Sequence, residues 1–323
     1  VIEILSTGAV NSVQDLGRPG YLDAGVGWSG AMDRPALAAA NLTLGNDENA
    51  AGIEITLFPF RVKFSRETAF AITGADCPAT IDGRSLPPWW ADTAKAGETL
   101  TIGLPRSGAR ACLALAGGVD VAQVLGSRAT DLKSGFGGHE GRGLLRGDQL
   151  ALGPFSVRLP SGGIGIDPCA LRGGVVNFGG SIPLRVLTSA EFPVFTEAAQ
   201  DEFFATDWTV TNDANRMGYR LSGPELRLTR KLELFSHGIM PGTVQVPPSG
   251  QPIIQLAEAN TCGGYPKIAN VIEADLWRLA QAPVGALLRF EQVERDAAVT
   301  AMAMQKAALA DIRAIAVLMR EKR

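Results

Sequence analysis

One local pattern recurs three times along this chain: a glycine turn followed by residues that form a strand with one buried face. It reads Gly97-Glu98-Thr99-Leu100-Thr101-Ile102, then Gly147-Asp148-Gln149-Leu150-Ala151-Leu152, then Gly285-Ala286-Leu287-Leu288-Arg289-Phe290. Glycine takes turn angles that side chains resist, and a period of two turns one strand face into a core. The recurrence predicts two related β units in tandem. With 38 glycines and 19 prolines in 323 residues, and few long helical patterns, the composition agrees with a mostly β chain with some α and many turns.

Strand patterns at 1–5, 60–64, 69–72, 79–81 and 110–116 place a first unit over 1–160, with a turn at 73–76 and a hairpin at Asp82-Gly83. Residues 161–180 are loose, containing SGGIGIDP and RGG, and mark a linker or crossing segment over 161–182. A second unit over 183–293 carries strands at 183–187, 206–210, 219–221, 244–247 and 252–256, with helical spacing at 191–204 and 275–281. Over 294–323 glycine and proline vanish, and Val299, Met302, Ala303, Leu309, Ile312, Ala316 and Met319 form one helical stripe. Such a stripe normally docks on its own protein; a partner surface is the alternative.

Residues 14–54 combine a dense glycine loop, QDLGRPGYLDAGVGWSG, with a helix and a strand. Asp33 suits an N-cap, Pro35 the first turn and Gly45 the C-terminal end of that helix. Ile53, Ile55 and Leu57 then alternate with Glu54 and Thr56. The stretch reads either as the wall of a site or as a structural corner between strands.

Several function classes fall away. A net charge of -3 gives no electrostatic case for nucleic acid or an anionic membrane. Cys77, Cys112, Cys169 and Cys262 lack CxxC spacing, which argues against zinc and a disulfide framework and for a reducing cytoplasm. No apolar run approaches the roughly 20 residues of a membrane span, and no secretion signal is visible. GSRATDLKS (126–134) lacks the glycine a P-loop needs before Lys133, and the Gly163-Ile164-Gly165 run meets Pro168 where a dinucleotide fingerprint needs glycine. Two histidines exclude a His-rich metal site, so no metal ligands are expected. His237, at a strand end, reads as structural. The loop 135–143, GFGGHEGRG, can cradle an anion or serve as a flexible turn, and the turn is favoured.

The densest chemistry lies at Glu258-Ala259-Asn260-Thr261-Cys262-Gly263-Gly264-Tyr265-Pro266-Lys267-Ile268. A carboxylate, an amide, a thiol, a phenol and an ammonium follow a strand, and the glycine pair lets backbone approach a ligand. No histidine stands nearby in sequence to activate Cys262, which is expected to be a small buried residue.

Five ordered blocks carry a resemblance: QDLGRPGYLDAGVGWSGAMDRPALAAANLTLGN (14–46), DLKSGFGGHEGRGLLRGDQL (131–150), NRMGYRLSG (215–223), SHGIMPGTVQVPPSGQPII (236–254) and CGGYPKIANVIEADLWRLAQ (262–281). Together they resemble the family of the C-type subunit of 5-oxoprolinase, also described as allophanate hydrolase subunit 2, KipA-like or biotin-dependent carboxyltransferase-like. The resemblance implies two cyclophilin-like β-barrel subdomains, a smaller partner, the B-type subunit (KipI-like), and a separate A-type subunit. It implies a heteromeric complex that opens 5-oxoproline to glutamate at the expense of ATP. It implies ATP, with Mg2+, at or near a site shared with the partner. The related module of urea carboxylase moves a carboxyl group from carboxybiotin to urea. No biotin-acceptor Met-Lys motif is present, so that alternative needs biotin on a separate carrier. A non-catalytic regulator that binds through the C-terminal helix is the second alternative.

The chemistry asks for an anion anchor, an amide reader and a phosphate stabiliser. Arg18 or Lys267 can hold a carboxylate or phosphate. Glu258 and Asn260 can read an amide. Asp33 can orient the loop or act as a base, Arg216 can stabilise a transferred phosphate, and Gly263, Gly264 and Tyr265 line the ligand. The structural alternatives are a helix cap for Asp33, a surface ion pair for Arg216 and a solvated turn residue for Lys267. The family pattern before Gly-Gly-Tyr-Pro commonly reads Asp-Arg-Gln-Thr-Thr. Here the carboxylate and amide each differ by one methylene and the arginine is missing, which bears on substrate choice. The early glycine-laden segment and the one ending in Tyr-Pro-Lys are expected to meet in one cleft.

Overall fold

Alternation along the chain sets the first unit. In the strand Phe60–Phe64, Phe60, Val62 and Phe64 are buried while Arg61 and Lys63 are exposed, as a period of two requires. The structure is a computed structural model and describes residues 1–155, 158–172 and 180–321. The chain divides into one unit of Val1–Arg18, Ser29–Val175 and Met304–Arg323, and another of Pro19–Trp28 and Val176–Ala303.

Among the described residues, the strands of the first unit form two six-stranded sheets. One is ordered Gln149–Leu150, Ile2–Ser6, Phe60–Phe64, Thr99–Ile102, Ala79–Ile81, Arg84–Leu86. The other runs Ile164–Gly165, Trp90–Ala94, Thr68–Asp76, Ser107–Leu115, Gly52–Ile55, Ser12–Gln14. Their large residues, among them Ile4, Val62, Ile53, Phe70 and Leu113, share one core. The intervening small residues Ala69, Ala71, Cys112 and Ala114 instead join a second cluster with Ala36, Leu37 and Ala40 of the helix Arg34–Leu44. Both faces of the central strands are therefore buried, which is why they read as unbroken apolar runs.

The helix starts as its sequence predicts. Asp33 accepts from the Ala36 backbone N–H at 3.1 Å, a proline occupies the first turn, and Gly45 ends the helix at φ 77°. The turn expected at 73–76 is absent. Thr68–Asp76 is one continuous strand, and Gly74, at φ 91°, lies where its register against Ser107–Leu115 shifts. That geometry is a bulge, and glycine serves both features.

Of the segment expected to link the units, residues 173–179 lie outside the described residues. The part before them is structured: Ile164–Gly165 pairs with Trp90 and Ala91, and Pro168–Arg172 is a short helix. Both belong to the first unit.

In the second unit, seven strands close into a barrel in the order Ile182–Thr188, Lys267–Val271, Thr243–Gln245, Ile253–Gln255, Gly218–Ser222, Trp208–Val210, Leu287–Gln292. Val244 stands opposite Ile254 and Ala269, and all three have no exposed surface, so they point into the barrel. Phe290 stacks on Phe203 of the helix Glu197–Ala205 with ring centroids 4.3 Å apart. The helix expected at 191–204 is broken in two. Phe192–Val194 is a 3-10 turn, and Thr196 starts afresh as an N-cap to Ala199.

The C-terminal helix spans Arg295–Glu321. It docks on its own protein through Ala308, Leu309 and Ile312, which pack on the cluster beneath the helix Arg34–Leu44. The buried stripe is narrower than predicted, since Val299 and Met319 are 60% and 40% exposed. Among the described residues, no helix is long and apolar enough to cross a membrane.

Candidate active site

Because Val244 points into the barrel, its neighbours Thr243 and Gln245 point out, as does Asn270 opposite Thr243; the register shifts between Val244 and Gln245, and beyond that bulge Lys267 lies opposite Gln245. This outer wall is polar and largely buried. Thr243 donates through Oγ1 to Asn270 Oδ1 at 3.0 Å, and Asn270 Nδ2 donates to Ser189 Oγ at 2.9 Å. Gln255 Nε2 donates to Gln245 Oε1 at 3.0 Å. Lys267 is only 6% exposed and donates to the carbonyls of Gly263 at 3.2 Å and Tyr265 at 3.1 Å. The solvated turn residue considered from sequence is thus a buried ammonium. Burial pushes its pKa below the ordinary lysine value, and the Glu191 carboxylate opposes that shift. Glu191 also lies 3.5 Å from His237 Nε2.

A two-stranded ribbon, His237–Gly238 paired with Cys262–Gly263, lies beside this wall. Gly263 packs closely there: an added Cβ would sit 2.4 Å from Gln245 Nε2, so a larger residue would have to displace that amide. Cys262 is exposed, contrary to the small buried residue expected, because its strand belongs to the outer ribbon and not to the barrel. Asn260 and Tyr265 are exposed on the same segment, and Gly264 is half-buried.

Glu258 and Arg216 meet. Arg216 Nε donates to Glu258 Oε1 at 2.7 Å, and the Glu258 backbone N–H donates to the Arg216 carbonyl at 2.9 Å. Arg216 is 7% exposed, so the pair is internal and not the surface ion pair considered from sequence. Asn215 holds the preceding turn by accepting from the Met217 backbone N–H at 2.8 Å. The loop Pro19–Trp28 belongs to this same unit, and a Cβ added at Gly27 would lie 3.2 Å from the Ala259 carbonyl oxygen. Part of the early glycine-laden segment therefore reaches the segment that carries Glu258 and Asn260.

Arg18 and Asp33 belong to the first unit. Arg18, 1% exposed, donates through Nη2 to the Ala129 carbonyl and lies 4.6 Å from the centre of the Phe136 ring. Asp33 caps its helix and also receives Arg172 Nη2 at 2.8 Å, with Arg172 over the Trp89 ring at 4.6 Å. The buried Glu54 accepts from the Met32 backbone N–H at 2.7 Å. The loop 135–143 spends backbone N–H groups locally: those of Gly135 and Phe136 donate to the carbonyl of Asp131 just before it, and that of Gly141 to Gly137. Arg142 is committed to Asp148 and Glu140. These contacts make the loop a braced turn and a poor fit for a phosphate. Among the described residues, no three His, Cys, Asp or Glu side chains gather in a way that could hold a metal ion.

Sequence reasoning passed over Gln245, Gln255 and Glu191. The available signal was the period of two: in Thr243–Gln245 and Ile253–Gln255 a glutamine falls next to an inward apolar residue, which puts amides on one outer face.

A family model described as "Carboxyltransferase domain, subdomain A and B" matches residues 24–292. The chain is 44% identical over 301 residues to the C-type subunit of 5-oxoprolinase of Escherichia coli, covering 93% of this chain and 94% of that one. It is 32% identical over 315 residues to urea amidolyase of Saccharomyces cerevisiae, covering 90% of this chain but 16% of the yeast protein. The crystal structure of the Kluyveromyces lactis urea carboxylase superposes with a TM-score of 0.88 at 28% identity, over 96% of this chain and 29% of that one. The chain thus spans a minor part of the urea enzymes and nearly all of the bacterial protein. With more than four-fifths of its length matched, the chain belongs to the carboxyltransferase domain family of subdomains A and B.

Proposed function

We propose that this chain is the C-type subunit of an ATP-dependent 5-oxoprolinase. It acts in the cytoplasm with two partners, a smaller B-type and a separate A-type subunit, to open 5-oxoproline to glutamate. The observation that carries this reading is the 44% identity to the E. coli protein along 94% of its length. The polar outer wall of the barrel supplies matching chemistry. Lys267, a buried ammonium held by two neutral carbonyls, binds the substrate carboxylate. Asn260, exposed on the adjoining segment, reads the lactam amide, and Arg216 keeps Glu258 in place beside it. ATP with Mg2+, bound at or near the site shared with the B-type subunit, would supply a phosphoryl group to activate the lactam oxygen, with ADP as the leaving group. Arg18 and Asp33 act as braces in the other unit.

The test is reconstitution with the two partner subunits. The assembled enzyme should hydrolyse ATP when 5-oxoproline is added, and this chain alone should not. Strong 5-oxoproline-dependent ATP hydrolysis by the chain alone would overturn the need for partners.

A second reading rests on the superposition with the K. lactis urea carboxylase. There the same wall would take a urea-like amide and receive a carboxyl group from biotin on a separate carrier. A biotinylated protein that co-purifies, together with bicarbonate-dependent carboxylation of urea, would favour it over 5-oxoproline opening.

A further inference from the structure

Gln245 and Lys267 are register partners on neighbouring strands of the barrel's outer wall, and each has donors to spare. Gln245 is 4% exposed, and its Oε1 is taken by Gln255, which leaves Nε2 as the free end of the amide. Among the described residues that Nε2 has no hydrogen-bond partner. A buried donor left without a partner costs about 1–3 kcal/mol. Lys267 carries three N–H donors, of which two go to the Gly263 and Tyr265 carbonyls. No ion pair to Lys267 is found among the described residues, and Glu191, whose field reaches it, engages His237. A buried cation compensated only by neutral carbonyls is incompletely satisfied.

The two sets of donors meet at one backbone unit. The Gly263 carbonyl accepts from Lys267, and the Cα face of Gly263 is set against Gln245 Nε2, where even a methyl group would collide. The cover over both is the ribbon His237–Gly238 and Cys262–Gly263, which pairs over two residues on each strand, and so short a ribbon is marginal on its own. Gly263 and Gly264 give that cover the backbone freedom to shift.

We propose that Gln245 Nε2 and Lys267 Nζ form one carboxylate-binding subsite, with Gln245 as a specificity residue that selects small amides bearing a carboxylate over those without one. The inference rests on the proposed function and deepens it. One ligand oxygen takes the ammonium, the other the amide, and the ligand's charge satisfies both groups at once. A urea-like substrate has no group for this pair. No covalent step is involved.

The experiment is direct binding to the purified chain, by calorimetry, of L-5-oxoproline, acetate and 2-pyrrolidinone, which is the same lactam without its carboxylate. The wild type should bind 5-oxoproline at least ten-fold more tightly than 2-pyrrolidinone, and acetate should compete. Gln245→Leu and the near-isosteric Gln245→Glu should each remove that preference ten-fold or more, with thermal melts confirming that each variant is folded. Two variants of different polarity guard against loss of fold in one. Failure of the wild type to bind either carboxylate at millimolar concentration, or an unchanged preference in a folded Gln245 variant, overturns the subsite. The subsite fails alone if the reconstituted enzyme turns over 5-oxoproline while Gln245→Glu keeps the wild-type KM. The functional reading fails alone if carboxylates bind as described but the assembled enzyme shows no 5-oxoproline-dependent ATP hydrolysis.

Discussion

Arg216 and Glu258, 42 residues apart in sequence, form an ion pair with Nε–Oε1 at 2.7 Å, and neither side chain is more than 8% exposed. Truncating one partner of such a pair takes a charged hydrogen-bond partner from the other in a buried site. Glu258→Ala and Arg216→Met are each expected to lower unfolding stability by about 3–5 kcal/mol. The double variant should lose less than the sum, because the bond between the two is lost only once. Urea unfolding of the three variants measures this coupling. Glu258→Gln should cost less than Glu258→Ala, since it keeps an acceptor for the Arg216 Nε.

Asp33 does two jobs that substitution can separate. One oxygen caps the Ala36 N–H, and the other receives Arg172. Asp33→Asn retains an acceptor for the cap and loses the charge opposite Arg172. Asp33→Ala loses both and should be less stable than Asp33→Asn by about 1 kcal/mol, the usual worth of a cap. Equal stability of the two variants by chemical denaturation would show that the cap contributes nothing here.

These two pairs show which parts of the molecule are legible in a sequence. The Asp33–Pro35–Gly45 signature works because capping chemistry is local: the partners lie within a turn of each other. The alternation that builds the barrel and the two sheets is local too. Pairing across the chain is not. Arg18 has the look of an anion anchor, but the Ala129–Phe136 segment folds onto it from more than a hundred residues away. Lys267 follows a Gly-Gly-Tyr-Pro turn, which reads as solvated. Its ammonium is instead held by the carbonyls of Gly263 and Tyr265, and Gly263 is itself paired with the distant strand His237–Gly238. Gly74 shows a different limit, because a turn and a bulge both call for a glycine at positive φ.

Asp148 should set part of the acid limb of stability. Arg142 grips both of its oxygens, at 2.8 and 3.0 Å, and the Leu145 backbone N–H adds a bond at 2.8 Å. The Arg142 hydrogen bonds hold its carboxyl below the ordinary range, against the opposing effect of burial. The folded state therefore binds the proton less tightly than the unfolded chain. The stabilisation is complete above the unfolded value of about 3.9 and is lost as pH falls through the depressed native value. Asp148→Asn should be less stable than wild type at pH 7, and the gap should narrow as pH falls below about 3.9, as followed by thermal melts on both sides of that value.

Gly263 offers a test of the outer wall that uses no ligand. Its φ is not in the left-handed region, so an added methyl group meets a steric obstacle and no backbone penalty. That obstacle is the Gln245 amide, with Nε2 2.4 Å from the position a Cβ would take. Gly263→Ala should therefore push the amide aside, break its bond with Gln255 and cost about 1–3 kcal/mol as an overpacking change. Gln245→Ala removes the obstacle but leaves a void where the amide was. Combined, the methyl group occupies space that the shortened side chain vacates. The double variant should be more stable than the two single losses predict, by about 1 kcal/mol or more. Strict additivity in a thermal or urea-unfolding cycle would mean that Gly263 and Gln245 are not in the contact described.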